Sequence, residues 1–272
     1  MRVSYKHQGR NTITFLLSIL LFIGSIFLST TMTADAATQV KQKYKPSEGI
    51  EYKKVDYKKG AAKGRVDIME MDASDIFTEV QLGKANPLDS LVTVRKRANT
   101  YHTKNNKVMG AINANFFHNQ ERRPVHLISE DNRLVYKGFV NESENEFVNE
   151  PIAFGMDRNG KGLIDHYNLN LKYVFNGKNY NITHTNRKRA KNNTILYTSD
   201  FYKNNTDTNQ YGTEIVLKGP KKPELTLGST VKLEVESIRK EGDKKPINIS
   251  DNHFVLSGHG NASNRQIGRA HV

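Results

Sequence analysis

The chain contains no cysteine and no tryptophan among its 272 residues. The absence of cysteine excludes disulfides, thiolate zinc sites and a cysteine nucleophile, so the fold must depend on its apolar core. Acidic residues are also few, with 28 Asp and Glu against 41 Lys and Arg, which gives a formal net charge of +13. A charge of this size and sign indicates anionic partners.

Long apolar runs are scarce as well, and the one present lies near the N-terminus. A basic start leads into the apolar run 15–28, which is followed by Ala34-Asp35-Ala36, a sequence of small-x-small form. This order is typical of a secretory signal peptide, so we expect residues 1–36 to be removed by cleavage after Ala36. The run is shorter than the ~20 residues of a spanning helix, and we expect no stable membrane span after cleavage.

Cleavage at this point would remove three cations and one carboxylate, which lowers the net charge from +13 to +11. We therefore expect a secreted or envelope-associated protein that meets anionic wall polymers or phosphorylated glycans. Nucleic acid is not expected as a partner. The twelve Tyr and twelve Phe residues lie mostly in strand patterns, where they fill a core and do not stack on bases.

Hydrophobic periodicity predicts an α+β fold, mostly antiparallel sheet with one early helix. Residues 37–63 form a basic lead-in, and residues 64–266 form the main domain. Asn86-Pro87 opens a helix over about 87–102, because proline suits the first helical position. The strands expected in the main domain are 64–72, 78–82, 108–117, 127–129, 194–198, 213–218, 230–238 and 253–257. Asp131-Asn132, Asn159-Gly160 and Asn176-Gly177 are hairpin turn signals.

The decamer 108–117, Val-Met-Gly-Ala-Ile-Asn-Ala-Asn-Phe-Phe, reads as a buried core strand that ends in two amides. On a strand, Asn113 and Asn115 would point to the same face, where paired amides suit a ligand rich in hydroxyls or phosphate oxygens. The alternative is a strand end that turns into a loop, because asparagine is common at turns.

Several familiar functional motifs are absent or incomplete in this sequence. The segment 155–162 lacks the Ser or Thr that a P-loop needs after Lys161, and its Asn-Gly pair is a turn signal. The nine histidines show no metal-ligand spacing, and no Gly-x-Ser-x-Gly elbow occurs. No cofactor is predicted and no metal site is assigned, although a divalent metal stays open.

Two further elements are candidates for ligand contact. The run 187–191, Arg-Lys-Arg-Ala-Lys, is either a solvated loop or a set of cations that holds a phosphate, which arginine binds with two prongs. Ser257-Gly258 closes the last predicted strand. It is either a simple glycine turn or a place where the backbone approaches a ligand.

Taken in order, these elements resemble the N-terminal half of the phosphodiester glycosidase domain family. That family includes the lysosomal enzyme that removes N-acetylglucosamine from a phosphodiester on mannose, and many exported bacterial proteins. The elements that carry the resemblance are Ala111-Ile-Asn-Ala-Asn-Phe-Phe117, Pro124, 127–129, Asn186-Arg187, 194–198, Gly212-Thr-Glu214 and Val255-Leu-Ser-Gly258. Where the family tends to have Gly after the proline, this chain has Val125-His126.

The resemblance implies hydrolysis of a sugar-1-phosphate linkage in an envelope or capsule glycopolymer. Such chemistry needs positive charge for the phosphate, amides for the sugar and a carboxylate to activate water or attack C1. It implies catalytic roles for Glu214 and Asn113. The alternative for Glu214 is an exposed strand residue without a catalytic role. The residues implied to bind substrate are Asn115, Phe117, Asn186, Arg187, Arg189, Ser257 and Gly258.

Members of the family continue into an Asp-Gly-Gly-Gly-Ser element, which is not found in this sequence. The final six residues, Ile267-Gly-Arg-Ala-His-Val272, read like a translated sequencing adapter. We therefore expect an incomplete domain, inactive alone, whose main carboxylate could lie in the missing half. A non-catalytic module that binds anionic wall polymer is the alternative function, because the same basic charge serves it.

Overall fold

The protein is described by a computed structural model that covers residues 37–72, 91–119, 123–138, 151–157, 159, 161–219 and 222–263. The predicted signal peptide, the strand 78–82 and the segment 267–272 lie outside these residues. The described chain separates into two compact units, divided between Met71 and Asp72. It contains no helix of the length and apolarity needed to cross a membrane.

The first unit is a three-stranded antiparallel sheet of β1 (Ala37–Ser47), β2 (Ile50–Lys59) and β3 (Ala62–Met71), with β2 in the centre. Gly49 and Gly60 form its turns with positive φ angles of 71° and 60°. The expected lead-in 37–63 is thus regular sheet, and the expected strand 64–72 pairs with it. In β1, Lys41, Lys43 and Lys45 alternate with Val40 and Tyr44, which matches the two-residue period of a strand.

The helix of the second unit that the described residues contain is α1 (Val94–Tyr101), which covers part of the predicted helix over 87–102. The prediction of its start was wrong for residues 91–93, which are not helical, while residues 87–90 lie outside the described chain. Thr93 has extended backbone angles and its side chain accepts a hydrogen bond from the Lys96 amide at 3.2 Å. This N-cap ends the helix on its N-terminal side.

Three hairpins follow, and each has a predicted turn. They pair β4 (Ile128–Glu130) with β5 (Arg133–Tyr136), β6 (Ile152–Met156) with β7 (Gly162–His166), and β8 (Lys172–Phe175) with β9 (Lys178–Asn181). Asp131, Asn132, Asn176 and Gly177 all have positive φ, which type I′ turns require at both central residues. The turn signals at these two hairpins are therefore confirmed.

A five-stranded sheet forms the centre of the second unit. Its order is β10 (His184–Thr185), β11 (Thr194–Tyr197), β14 (His253–Gly258), β12 (Thr213–Lys218) and β13 (Glu234–Arg239). Neighbouring strands are antiparallel except β10 and β11, which run parallel. The described chain is thus mostly antiparallel sheet with one α-helix, as the sequence predicted.

Both faces of this sheet are covered by apolar side chains. Leu196, Ile215 and Leu256 belong to the cluster on one face, together with Ile182 and Phe254. Ile195, Tyr197 and Val255 belong to the cluster on the other face, together with Phe201. Because residues alternate across a strand, Glu214 and Ser257 must share the second face with Tyr197 and Val255.

The decamer 108–117 is not a core strand, so that prediction was wrong. Among the described residues it has no strand partner, and Ile112 is 87% exposed. Its far end instead folds back in a loop, where a bridge joins Phe117 to Pro124 and the Val125 amide donates to the Phe116 carbonyl at 2.9 Å. Apolar composition had indicated burial, but composition alone does not supply a neighbouring strand.

Candidate functional site

The strongest concentration of polar side chains lies on the second face of the five-stranded sheet, around Glu214. Glu214 on β12 is the direct cross-strand partner of Ser257 on β14 and of Arg239 on β13. Directly opposed residues have side chains on the same face. The register of the sheet therefore brings a carboxylate, a hydroxyl and a guanidinium together from three strands.

Both oxygens of the Glu214 carboxylate are fully engaged. Oε1 accepts hydrogen bonds from Thr208 Oγ1 at 3.0 Å and from Ser257 Oγ at 2.9 Å. Oε2 accepts one from Thr206 Oγ1 at 3.0 Å and a longer one from the Ile247 amide at 3.4 Å. Glu214 itself is 0% exposed. We refer to Glu214, Thr206, Thr208, Ser257, Arg189 and Arg239 as the carboxylate network.

Arg239 supplies the counter-charge. Its Nε lies 3.2 Å from Glu214 Oε2, an ion-pair distance, although the N–H does not point along a hydrogen bond. The rest of the guanidinium donates to the carbonyls of Asn209 at 3.2 Å and Asp243 at 2.9 Å. Because both partners are buried, removal of either one would leave an uncompensated charge. In this arrangement Glu214 holds other side chains in place and does not face solvent.

Arg189 joins the network from the crossover that links β10 to β11. Its Nη1 donates to Ser257 Oγ at 2.9 Å and to the Gly258 carbonyl at 3.4 Å. Its Nη2 donates to Asn209 Oδ1 at 3.1 Å and to the Tyr211 carbonyl. Burial lowers the pKa of Arg189, and the Glu214 carboxylate opposes that shift. Four predicted site residues, Arg189, Glu214, Ser257 and Gly258, thus come together.

A close backbone approach at Gly212 makes this packing possible. Gly212 has φ +97°, and a Cβ atom placed there would lie 2.1 Å from the Gly258 carbonyl oxygen and 3.1 Å from Arg189 Nη1. Only glycine fits such a position. Ser257-Gly258 is therefore not a simple glycine turn, because Gly258 packs against Gly212.

The same end of the sheet has an accessible rim. The exposed Tyr211 ring stacks on the His259 imidazole, with centroids 6.1 Å apart and 16° between the planes. Burial, and then the Arg189 charge, lower the pKa of His259. Lys188 and Lys191 are exposed on the adjoining crossover. A ligand that reached this rim would meet several cations and one aromatic face.

Asn186 and Arg187 lie at the other end of β11. The parallel register pairs Thr185 with Leu196, so Asn186 lies beside the point where β11 ends. The Asn186 side chain donates to the Val135 carbonyl at 3.0 Å and to Thr198 Oγ1 at 2.8 Å, and it accepts from the Thr198 amide at 2.8 Å. Asn186 is 3% exposed, so its amide holds the fold together and is not available to a substrate.

Arg187 is also buried, at 8% exposure, with its Nη1 3.2 Å from His184 Nε2. The run 187–191 therefore does not act as one cationic patch, because its members point to different parts of the unit. Arg187 packs beside β10, Arg189 anchors the carboxylate network, and the two lysines remain in solvent.

The amides of the decamer lie on a loop and not on the central sheet. Asn113 is exposed. Asn115 closes its own loop, since its side chain donates to the His126 carbonyl at 3.3 Å and accepts from the His126 amide at 3.2 Å. Phe117 is half exposed. The expectation that Asn113 and Asn115 share one strand face was wrong, because the segment is a loop.

Sequence reasoning missed a second polar site at the end of β11 near Asn186. A cavity of about 270 Å³ lies there, lined in part by Arg133, Asp200, Glu224 and Asp251. We call it the Arg133 cleft. Its lining comes from strands β5 and β14 and from separate loops, so no local motif signalled it. Among the described residues, no group of three or more His, Cys, Asp or Glu side chains is placed to hold a metal ion.

Comparison with known proteins adds a likeness of fold. No protein-family model matches the chain, and no curated protein matches its sequence. A crystal structure of a hypothetical protein from Synechocystis matches with a TM-score of 0.60 and 14% sequence identity, over 85% of this chain. The match covers 39% of the Synechocystis chain, so the present chain spans about two-fifths of its length. At this identity the likeness concerns the fold alone.

Proposed function

We propose that this protein is an exported glycosidase that hydrolyses sugar-1-phosphate linkages in envelope or capsule glycopolymers. One observation carries the proposal. Three sequence elements of the resemblance, residues 194–198, 212–214 and 255–258, lie on three adjacent strands of one sheet. Two of these elements supply Glu214 and Ser257, which are distant in sequence and meet in the carboxylate network, as a built site requires.

Hydrolysis of this linkage needs less general-acid catalysis than hydrolysis of an ordinary glycosidic bond, because phosphate is a better leaving group than an alcohol. The exposed rim beside Arg189 offers cations to the phosphate, and Asn113 offers an exposed amide to the sugar. Glu214 acts in this proposal through Ser257 and Arg189, since its own oxygens are enclosed. The carboxylate that activates water is then a different one, or Glu214 after a rearrangement.

This chain is expected to be inactive alone, so the proposal is tested by incubating a protein that also contains the C-terminal part of the domain with an N-acetylglucosamine-1-phosphodiester of methyl mannoside. We expect the ³¹P diester resonance to be replaced by a phosphomonoester resonance, together with free N-acetylglucosamine. Ser257→Ala should slow this conversion if the network positions the reacting groups. A diester that stays intact in the presence of this folded, completed protein would contradict the proposal.

The basic charge, +11 after the expected cleavage, supports a second candidate, a module that binds anionic wall polymer without hydrolysis. The same preparation distinguishes the two. Retention on immobilised wall teichoic acid that weakens with added salt, with no release of sugar from the diester, would favour binding. Release of sugar at a rate that survives moderate salt would favour the glycosidase.

A further inference from the structure

The Arg133 cleft is a built cavity at the opposite end of β11 and β14 from Arg189. It lies where β11 has ended, at Thr198 to Asp200, and where β14 begins, at His253. Its volume is about 270 Å³. At ~30 Å³ for each liquid water, that space holds roughly nine waters, which is room for one sugar ring and not for an extended chain.

The floor of the cleft is fixed by charged hydrogen bonds. Arg133 Nη1 donates to Asp200 Oδ2 at 2.6 Å, and Nη2 donates to Glu130 Oε2 at 2.9 Å. The Asp200 carboxylate raises the pKa of Arg133, with a smaller contribution from Glu130. Thr198, which is 8% exposed, is locked by the Asn186 amide described above. Polar groups held in this way are preorganised for a ligand.

The lining of the cleft carries charges of both signs. Arg133 and Lys222 are cations, while Asp200, Glu224 and Asp251 are carboxylates. An anionic ligand would meet three carboxylates, and a cationic ligand would meet an arginine and a lysine. A hydroxyl group both donates and accepts, so it satisfies neighbours of either kind. Ser199 and Ser250 add two more hydroxyls to the lining.

We propose that the Arg133 cleft binds one uncharged sugar ring. The carboxylates accept hydrogen bonds from the ring hydroxyls, and the Arg133 guanidinium and the Lys222 ammonium donate to them. The ring would be held roughly 13 Å from the carboxylate network, because His253 at the cleft and Ser257 in the network are four residues apart on β14, at ~3.3 Å per residue. The inference does not rest on hydrolysis, because binding at this cleft requires no reaction.

The test is a titration of the folded chain with methyl mannoside and with N-acetylglucosamine, followed by amide chemical shifts and by calorimetry. We expect shifts at residues 198–200 and 250–253 for at least one of the two sugars. Asp251→Asn and Glu224→Gln change exposed carboxylates of the cleft, and each should weaken binding about 10-fold, or ~1.4 kcal/mol. Neither change removes a buried group.

The matched control is Glu236→Gln. Glu236 is an exposed carboxylate that pairs with Lys218 at 3.5 Å, much as Asp251 pairs with Lys222 at 3.7 Å, but it lies outside the cleft. Binding in this variant should be unchanged. The proposal is overturned if neither sugar shifts these amides, if inorganic phosphate shifts them instead, or if all three variants bind equally. Hydrolysis of the diester is a separate result, and neither its presence nor its absence shows whether the Arg133 cleft binds a sugar.

Discussion

Ser257 and Glu214 face each other across β14 and β12, and the Ser257 hydroxyl donates to Glu214 Oε1 at 2.9 Å. The pair links the two halves of the carboxylate network, since Ser257 also accepts from Arg189 and Glu214 pairs with Arg239. The Ser257 hydroxyl therefore connects the buried Glu214 carboxylate to Arg189, which lies beside the rim of the sheet. Substitutions at these residues should change stability before they change chemistry.

Glu214→Gln should destabilise the protein by about 3 kcal/mol, because it leaves the buried Arg239 without a counter-charge and turns an NH₂ group towards donors. Urea unfolding followed by circular dichroism measures this. Glu236→Gln on the neighbouring strand is the control and should change the free energy of unfolding by less than about 0.5 kcal/mol. Equal midpoints for the two variants would show that the carboxylate contributes nothing to stability.

Gly212→Ala should be among the most damaging small substitutions in the chain. The new methyl group would lie 2.1 Å from the Gly258 carbonyl oxygen, at a φ of +97°. We expect a loss of at least ~3 kcal/mol, from backbone strain together with overpacking. The control is Gly177→Ala, at φ +72° with no atom within 4 Å of the added Cβ, which carries strain alone and should cost about 1 kcal/mol.

Asn186→Ala should lower the free energy of unfolding by about 2 kcal/mol or more. Its side chain makes three hydrogen bonds of 3.0 Å or less to Val135 and Thr198. Their removal leaves buried polar groups without hydrogen-bond partners. Asn176→Ala, in an exposed hairpin turn with a similar positive φ of 47°, is the matched control. If thermal melts of the two variants coincide, Asn186 is not the structural residue that its contacts indicate.

His259 should make stability depend on pH. Its pKa is lowered in the folded protein, first by burial and then by the Arg189 charge. The unfolded chain therefore takes up the proton first as pH falls below about 6.5, and the folded state loses stability over that range. Wild type and His259→Gln are compared by thermal unfolding at about pH 7.5 and about pH 5.5.

Wild type should lose more stability than His259→Gln between these two conditions, and the histidine variant should retain only the dependence of other groups. The effect is modest because the ring is partly accessible on the rim. An identical pH dependence in both proteins would mean that His259 titrates alike in the folded and unfolded chains.

Asn113→Ala tests the proposed function at an exposed position where folding should not suffer. We expect the rate of diester hydrolysis to fall at least ~10-fold, about 1.4 kcal/mol of transition-state stabilisation. Asn179→Ala, an exposed asparagine on β9, serves as the control and should leave the rate unchanged. Unchanged turnover in Asn113→Ala would remove that residue from the site.

Local signals predicted much of the fold correctly. The strand 213–218 has the predicted bounds, and the Asp131-Asn132 and Asn176-Gly177 turns adopt the positive φ angles that their residue types favour. Such features depend on neighbours in sequence. Residues 91–93 were predicted to be helical and are not, because Thr93 caps α1.

Features that depend on distant neighbours were beyond sequence reasoning. The decamer has the composition of a core strand, yet no strand lies beside it in the described chain. The sequence around Arg239 does not indicate that it pairs with Glu214, because only the register of β12 and β13 brings the two residues together. The cleft around Arg133 and Asp200 likewise needs two segments 67 residues apart to meet.

The strand order of the central sheet has a consequence for how the chain assembles as it emerges during synthesis or export. β14 is the last strand of the described chain, yet it lies in the middle of the sheet, between β11 and β12. Neither of those strands can complete its pairing until residues 253–258 are available. The sheet therefore cannot close progressively from the N-terminus, and its closure is a late, long-range event. The central sheet of a nascent chain therefore stays open until residues 253–258 have emerged.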